Sequence, residues 1–471
     1  MFEELPSYGP EDLEKAPRRD SRAPEHRIAS AIHGAGTPGC LLWRRVVPMA
    51  VVDEDVCAIR PGVDLGRYAR MLALVHDAVL SGALPPAPPR RLVARSWQRV
   101  REQGVDPDRG DPPGPVPVEQ VEQRRERSPL QPVLPELRAA LTSVAEDARH
   151  IMVITDADGV LLWREGATAV RHRADRLGFT EGASWSEGSV GSNAIGTALA
   201  EDAPVQMFAA EHFVRTHHAW TCTACPVHDP RTGELLGVVD VSGPAATVHP
   251  TTVALVGTAV KLAEASLWRR HEGRLQVLRT LAAPLLSRLP GAGMVVDDHG
   301  WVAAVTGIPS LERVAAPRAD RPIAVPGVGL LLPEPVPGGW LLRAAGSERL
   351  RLSFDLESRP PRALVDGSTR WVHPLSPRHA EVLVLLAHAG AEGMDAGALS
   401  TALYGDRAHL VTVRAEMSRL RRSLGGLLLA RPYRIAPDVE VVMPDIAGSA
   451  LLPESSCPAV RRILDGHRAH D

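Results

Sequence analysis

Ile151-Met-Val-Ile-Thr-Asp-Ala-Asp-Gly-Val-Leu-Leu-Trp163 reads as a strand, a tight turn and a returning strand. Two short apolar runs flank Asp158-Gly159, a pair suited to the positive φ angles of a hairpin turn. Around this hairpin the pattern is mixed. Pro135–Ala148 has helical character, Ser192–Ala200 forms a short helix, and Leu235–Ser242 is a further strand behind the turn at Asp229–Gly233. Thr251 to about Leu289 is a long helical stretch interrupted at Pro284. The chain is therefore expected to be an α+β multidomain protein.

The same grammar returns in Gly293-Met-Val-Val-Asp-Asp-His-Gly-Trp-Val-Ala-Ala-Val305, followed by short strands punctuated by Pro and Gly. A reduced sheet of PAS or GAF type fits this repeat, and so do two unrelated hairpins; the unrelated reading weighs slightly more. Upstream, Leu65–Leu84 carries apolar residues at helical spacing, Leu92–Gly104 is a second short helix, and Asp106–Pro117 reads as a linker. The expected organisation has six parts. Residues 1–64 are a poorly ordered extension, and 65–128 are a helical segment with linker. Residues 129–270 form a sensory unit, and 271–345 a linker helix with a small β-rich region. Residues 346–445 form a DNA-binding unit, and 446–471 a tail.

The whole chain of 471 residues has 53 basic and 56 acidic residues, a formal net charge of -3. That balance excludes binding to nucleic acid by bulk charge, so any such contact needs a local patch. Five scattered cysteines imply no disulfide framework. No leader-like start and no apolar run of membrane-spanning length is present, so a cytoplasmic protein without a membrane partner is expected. Gly-x-Ser-x-Gly, His-Glu-x-x-His and dinucleotide fingerprints are all missing from the sequence. Neither catalytic residues, nor a bound metal, nor a cofactor is therefore expected, and the chain reads as a non-enzyme.

The local patch lies near the C-terminus. Ser376 caps a helix that has Pro377 at its first position. A second helix ends at Tyr404-Gly405. The third, Thr412–Leu424, has Val413, Met417, Leu420 and Leu424 at one-face spacing, which turns them inward. Its other face presents Thr412, Arg414, Ala415, Ser418, Arg419, Arg421 and Arg422. Between Leu410 and Arg434 stand six arginines and one acid, Glu416. Small and polar side chains let a helix approach base edges, and guanidiniums reach guanine edges or phosphates. Arg431, Tyr433 and Arg434, leading into Val439–Met443, would form a wing beside that helix. A merely solvated basic face is the competing reading, outweighed because helix order, hairpin and polarity agree.

Leu375–Glu381, Leu403-Tyr-Gly405 and Val411–Arg422 resemble the winged-helix output domain of bacterial response regulators and related actinobacterial regulators. Ser96-Trp97, Gly191–Leu199, Glu211-His-Phe213, Trp220–Val227 and Leu236–Ser242 resemble the GAF domain of acetoin-catabolism-regulator-type activators. Those activators carry a central ATPase, whereas this chain has no phosphate loop; the resemblance extends to the sensory half alone. It implies a ligand pocket, with Asn193, Thr197, Glu211, His212, Trp220 and Cys222 as candidate ligand-binding residues. A helix cap for Asn193 and a core position for Trp220 are equally weighted alternatives.

Together these readings give a one-component transcriptional regulator. A small-molecule effector or redox signal, promoter DNA, RNA polymerase and a second copy of the chain are the expected partners. The stripe Val253, Val256, Val260, Ala263, Leu267, Leu278, Leu281 and Leu285 would support the homodimer. Two rivals remain: a redox sensor or enzyme using Cys222 and Cys225, and a GAF-linked RNA antiterminator, against which the wing argues.

Overall fold

The computed structural model describes residues 56–468, apart from 111, 148, 345–349, 368–369, 444–451 and 453–454. Residues 1–55 of the expected N-terminal extension lie outside the described residues. The extension's last residues are anchored: Ala58 and Ile59 are buried against Phe208 and Val248, and Ala58 N donates to Gln206 Oε1 at 3.2 Å.

Four helices come first: α1 (Leu65–Ser81), α2 (Arg91–Glu102), α3 (Val118–Arg127) and α4 (Leu134–Asp147). Asp64 caps α1 by accepting from Arg67 N, and Gly82 closes it at φ 73°. Leu92, Val93, Trp97 and Val100 of α2 share one core with Ile151, Val153 and Phe213. Residues 65–128 thus pack as part of the α/β unit that follows them. The composition break at 106–117 marks a loop across its surface.

That unit is built from β1 (Ile151–Asp156), β2 (Leu161–Gly166), α5 (Thr168–Asp175), α6 (Glu187–Val190), α7 (Ala194–Glu201), β3 (Val205–Phe208), β4 (Trp220–His228) and β5 (Leu235–Pro244). The antiparallel sheet has the order β2-β1-β5-β4-β3. Strand alternation separates its faces. Ile151 and Val153 point toward α2 and α7; Met152 and Ile154 pack with Leu137 and Leu141 of α4 and with Val256 and Val260 behind them.

Helix α8 (Thr251–Leu286) runs 36 residues, about 54 Å at 1.5 Å per residue. Its first half lies on the first sheet, and its second half brings Leu278, Ala282 and Leu286 onto a second one. The interruption expected at Pro284 is a termination rather than a kink, because the helix stops two residues later.

The second sheet comprises β6 (Gly293–Val296), β7 (Val302–Thr306), β8 (Ile323–Val325), β9 (Gly329–Val336) and β10 (Gly339–Ala344), in the order β7-β6-β10-β9-β8. Numbered within each sheet, both orders are 2-1-5-4-3. The hairpins match in detail. Asp156 Oδ1 accepts from the main-chain N–H groups of Asp158 and Val160; Asp297 Oδ1 accepts from those of His299 and Trp301. Gly159 and Gly300 take φ of 80° and 82°. The unrelated-hairpin reading is therefore corrected: one architecture occurs twice. The local sequence shows the turn, but not the distant pairing of β6 with β10.

The C-terminal unit has β11 (Leu350–Asp355), β12 (Arg362–Asp366), β13 (Trp371–Pro374), α9 (Pro377–Ala389), α10 (Ala396–Tyr404), α11 (Leu410–Leu424), β14 (Leu428–Leu429), β15 (Arg434–Ile435), β16 (Val439–Val442) and α12 (Pro458–Arg468). Strand β16 lies parallel to β11. Leu330 and Leu332 of β9 join the core of this unit, so the second sheet and the helices are packed together. Part of the expected tail is docked as well, since Cys457 and Val460 are buried in that core and Ser455 Oγ donates to Glu381.

Candidate functional site

Among the described residues two candidate sites stand out: a small cavity beside the first sheet and an open basic face on α11.

The cavity lies between β4, β5 and the loops over them. Leu177, Phe179, Trp185, His217, Trp220 and Asp240 form its main walls, joined by Asn193, His212, Cys222 and Ser242. Its volume is about 20 Å³, room for one water or a group of that size. Within this small space, Trp185 Nε1, His212 Nε2, both ring nitrogens of His217 and Asp240 Oδ1 are buried without a hydrogen-bond partner among the described residues. Buried polar groups are normally satisfied, so this concentration of bare donors and acceptors marks a place for a polar guest.

Protonation states follow from the surroundings. His212 Nδ1 donates to Ala209 O at 2.9 Å, which leaves Nε2 as an acceptor. Burial pulls His212 down to about 4 and His217 down to about 3, so both imidazoles are neutral near pH 7. Burial pushes the Asp240 carboxyl up to about 7, partly offset by the Ser242 hydroxyl. The cavity thus offers one fixed donor in Trp185, one fixed acceptor in His212, and two groups, His217 and Asp240, that serve as either. A small guest with both donor and acceptor capacity would satisfy them.

The sequence candidates divide. His212, Trp220 and Cys222 line the cavity with Asn193, but Asn193 has its polar atoms bound to main chain. Its Oδ1 accepts from Gly196 N at 2.9 Å, and Nδ2 donates to Trp185 O and Gly191 O. Thr197 points away, donating to Glu187 Oε1 at 2.8 Å. Glu211 is held outside the cavity by Arg90, with contacts of 2.6 and 2.9 Å, and by Phe208 N. Sequence reasoning passed over Trp185, Asp240 and Ser242. Asp240 left a signal, as the single carboxylate in Leu235–Ser242, a run that is otherwise apolar up to its final serine.

A second buried network docks α2 on this unit. Arg99 grips Glu187 with bonds of 2.7 and 2.8 Å; Ser96 and Thr197 hydroxyls reach the same carboxylate. Trp97 Nε1 donates to Glu211 O at 2.9 Å. These bonds tie Ser96-Trp97 to the segment that closes the cavity. His76 of α1 adds another tie by donating from Nε2 to Phe213 O at 2.8 Å.

Cys222 and Cys225 lie three residues apart on β4, so they point to opposite faces. Cys222 lines the cavity, and Cys225 sits in the core beneath α4 and α8. Burial raises both thiols, Cys222 well above its ordinary value and Cys225 to about 12, which disfavours the reactive thiolate. Among the described residues no group of three His, Cys, Asp or Glu is placed to hold a metal ion.

On α11, Val413, Met417, Leu420 and Leu424 are buried. Thr412, Arg414, Ser418, Arg419, Arg421 and Arg422 are exposed, and Ala415 is half-buried. The short β14–β15 hairpin stands beside this helix, with Arg431 exposed and Tyr433 and Arg434 half-buried. Some arginines already have partners: Arg419 pairs with Glu416 at 2.9 Å, Arg421 Nε donates to Leu428 O, and Arg434 to Ala391 O. Tyr433 exchanges two main-chain bonds with Met394, which fixes the hairpin against the helices.

Comparison with known proteins adds the following. The family described as "MimR, N-terminal domain" matches residues 74–264, the span of the first sheet with its covering helices. An uncharacterized 47.3 kDa protein in the thcA 5' region of Rhodococcus erythropolis is 32% identical over 405 residues, covering 84% of this chain and 76% of that protein. The acetoin dehydrogenase operon transcriptional activator AcoR of Bacillus subtilis is 33% identical over 45% of this chain and 35% of its own length. The propane 2-monooxygenase operon transcriptional activator MimR of Mycolicibacterium goodii is 33% identical over 38% of this chain and 30% of its own. This chain therefore spans about a third of the length of each activator.

Proposed function

The chain belongs to the family of the 47.3 kDa Rhodococcus protein, and we propose that it is a one-component transcriptional regulator, as its likeness to the operon activators AcoR and MimR supports, one that senses through a GAF domain and binds promoter DNA through a C-terminal winged helix. The observation that carries the reading is the face of α11. Four apolar residues anchor the helix inward while Arg414, Ser418 and Arg422 face solvent beside a hairpin. Among the described residues neither Arg414 nor Arg422 meets a carboxylate, so both guanidiniums are available to base edges or phosphates.

The sensory input is a small polar effector entering the cavity of Trp185, His212, His217 and Asp240. Those bare polar atoms support a ligand signal over a thiol-based one, because the raised thiols on opposite sheet faces are poorly placed for redox chemistry. The hairpin beside α11 supports DNA over an RNA antiterminator target. A second copy of the chain and RNA polymerase complete the proposed partners. No described helix is long and apolar enough to cross a membrane; a cytoplasmic site of action is part of the proposal.

The test is DNA binding by the full chain to fragments of the promoter region adjoining its own gene. Arg414→Ala and Arg422→Ala should each weaken specific binding by about 1–3 kcal/mol without loss of folding. Unchanged affinity in both variants would remove α11 as the reading element.

A further inference from the structure

The proposed function assigns the second sheet neither sensing nor base reading, yet the sheet bears on the end of α11. Between the β8–β9 hairpin and the C-terminal end of α11 lies an open groove of about 1130 Å³. Arg318 and Arg321, just before β8, form one wall; Arg421, Arg422, Arg431 and Arg434, from α11 and its hairpin, form the other. Asp438 is the one carboxylate in the lining. Arg419, also in the lining, is paired with Glu416.

The two walls are fixed to each other. The Arg321 guanidinium donates to the main-chain carbonyl of Arg422, placing a cation at the negative end of the α11 dipole. Gly426 N donates to Pro322 O at 2.8 Å. Side chains are excluded from this seam: a Cβ on Gly425 would lie 2.8 Å from Pro322 O, and one on Gly426 would lie 2.4 Å from Ala324 N. Leu330 of β9 shares its core with Leu420, Leu424 and Leu427. Arg318 and Arg321 are thereby held at a set position relative to Arg422.

Arg321 also pairs with Asp320 at 3.5 Å, but Arg318, Arg421, Arg422, Arg431 and Arg434 meet no carboxylate among the described residues, so the groove stays net positive and self-repulsive in a chain of net charge -3. A polyanion running along the groove relieves that repulsion and releases counterions as it binds. The groove is also continuous with the face of α11 that reads promoter DNA in the proposed function. We propose that the β6–β10 domain is a second DNA-contacting element, in which Arg318 and Arg321 hold backbone phosphates flanking the segment read by α11. The inference rests on that reading of α11, and extends the interface beyond the helix and its hairpin.

Arg318 carries the test, because it is exposed, meets no carboxylate among the described residues, and is free of the contact that ties Arg321 to α11. Backbone contacts are independent of sequence, so the probe is a fluorescein-labelled duplex of mixed sequence, titrated with the full chain over a series of salt concentrations. Arg318→Ala should weaken binding roughly three- to tenfold and make the slope of log affinity against log salt shallower by about 0.9. Arg318→Glu should weaken it further, with the thermal unfolding of both variants unchanged. Wild-type affinity and slope in both Arg318 variants, alongside weakened binding by Arg422→Ala, would overturn the proposal alone and leave the groove to a protein partner. No duplex binding by the unaltered chain would overturn the reading of α11, and the proposal with it.

Discussion

The hydroxyl of Ser242 donates to Oδ2 of Asp240, while Oδ1 of the same buried carboxyl meets no partner inside the cavity. One oxygen is thus satisfied by the protein, and the other is left to a guest or to its own proton. The groups facing it are His212, His217 and the Cys222 thiol, with both imidazoles neutral near pH 7.

Asp240 therefore predicts an unusual pH dependence. Its carboxyl is held at about 7 against an ordinary 3.8, so between those values the folded chain keeps a proton that the unfolded chain releases. The stability this group contributes is full below the lower value and declines as pH rises through the window. A displacement of that size corresponds to roughly 4 kcal/mol. His212 and His217, held at about 4 and 3, act in the opposite sense as pH falls below about 6.5, so the wild-type curve alone hides the effect. Asp240→Asn isolates it. The variant should gain over wild type by several kcal/mol near pH 8 and by little near pH 4, read by denaturant unfolding at each pH. A gain that does not change with pH would show that the carboxyl is not held in its protonated form.

Asn193 makes a second prediction, this time of a structural loss. Its side chain caps α7 and fastens the turn before it through three main-chain bonds. Asn193→Ala should lower unfolding stability by about 2 kcal/mol, combining a lost cap with two main-chain carbonyls left short of a donor. The midpoint of urea unfolding should fall with little change in slope. A wild-type midpoint would mean that the cap is dispensable, and would move Asn193 toward a direct ligand role.

Much of the first sheet was legible because its signals are local. Asp158-Gly159 marks a turn wherever it falls between apolar runs, and the repeat at Asp297–Gly300 showed the same turn. The strand order of the second sheet was not legible, since β6 pairs with β10 across a long separation that leaves no local trace. The cavity was half legible for a related reason. A motif places His212 and Trp220 in the right segment but does not aim side chains, so Thr197 and Glu211, which bond to Glu187 and Arg90, stood beside them as equals. Asp240 and Trp185 reach the cavity from segments far apart in sequence, brought together only by the sheet. The inward face of α11 was legible residue by residue, because the 3.6-residue period alone assigns Val413, Met417, Leu420 and Leu424.

The cysteine pair gives a third prediction. Successive strand residues alternate faces at about 3.3 Å per residue, which separates Cys222 from Cys225 by roughly 10 Å and turns their side chains apart, whereas a disulfide needs Cα atoms within about 7 Å. Treatment of the folded protein with a thiol oxidant should leave no Cys222–Cys225 disulfide in a non-reducing peptide map. Finding that crosslink would restore the redox-sensor reading, and would require β4 to leave the sheet.

The last prediction concerns assembly, and it turns on which part of the α8 stripe remains uncovered. Val256, Val260 and Ala263 are buried on the first sheet, Leu278 on the second, and Val253 is buried as well, so most of the stripe is used within one chain. Leu281 and Leu285 are not: they are 54% and 37% exposed, and Val277, four residues earlier, is 62% exposed. Four-residue spacing keeps these three in one row along the helix, next to the row of Leu278, Ala282 and Leu286, which faces the sheet. Three large apolar side chains in a row gain about 25 cal/mol for each Å² they remove from water, and a second copy of α8 offers the same row in return. A dimer through this segment would bring two α11 helices to one DNA molecule and raise affinity through effective concentration. The full chain should therefore sediment as a dimer at micromolar concentration. Leu281→Glu should shift it to monomer and weaken binding to a two-half-site duplex far more than to a single half-site. A wild-type monomer under those conditions would leave the exposed row without this role.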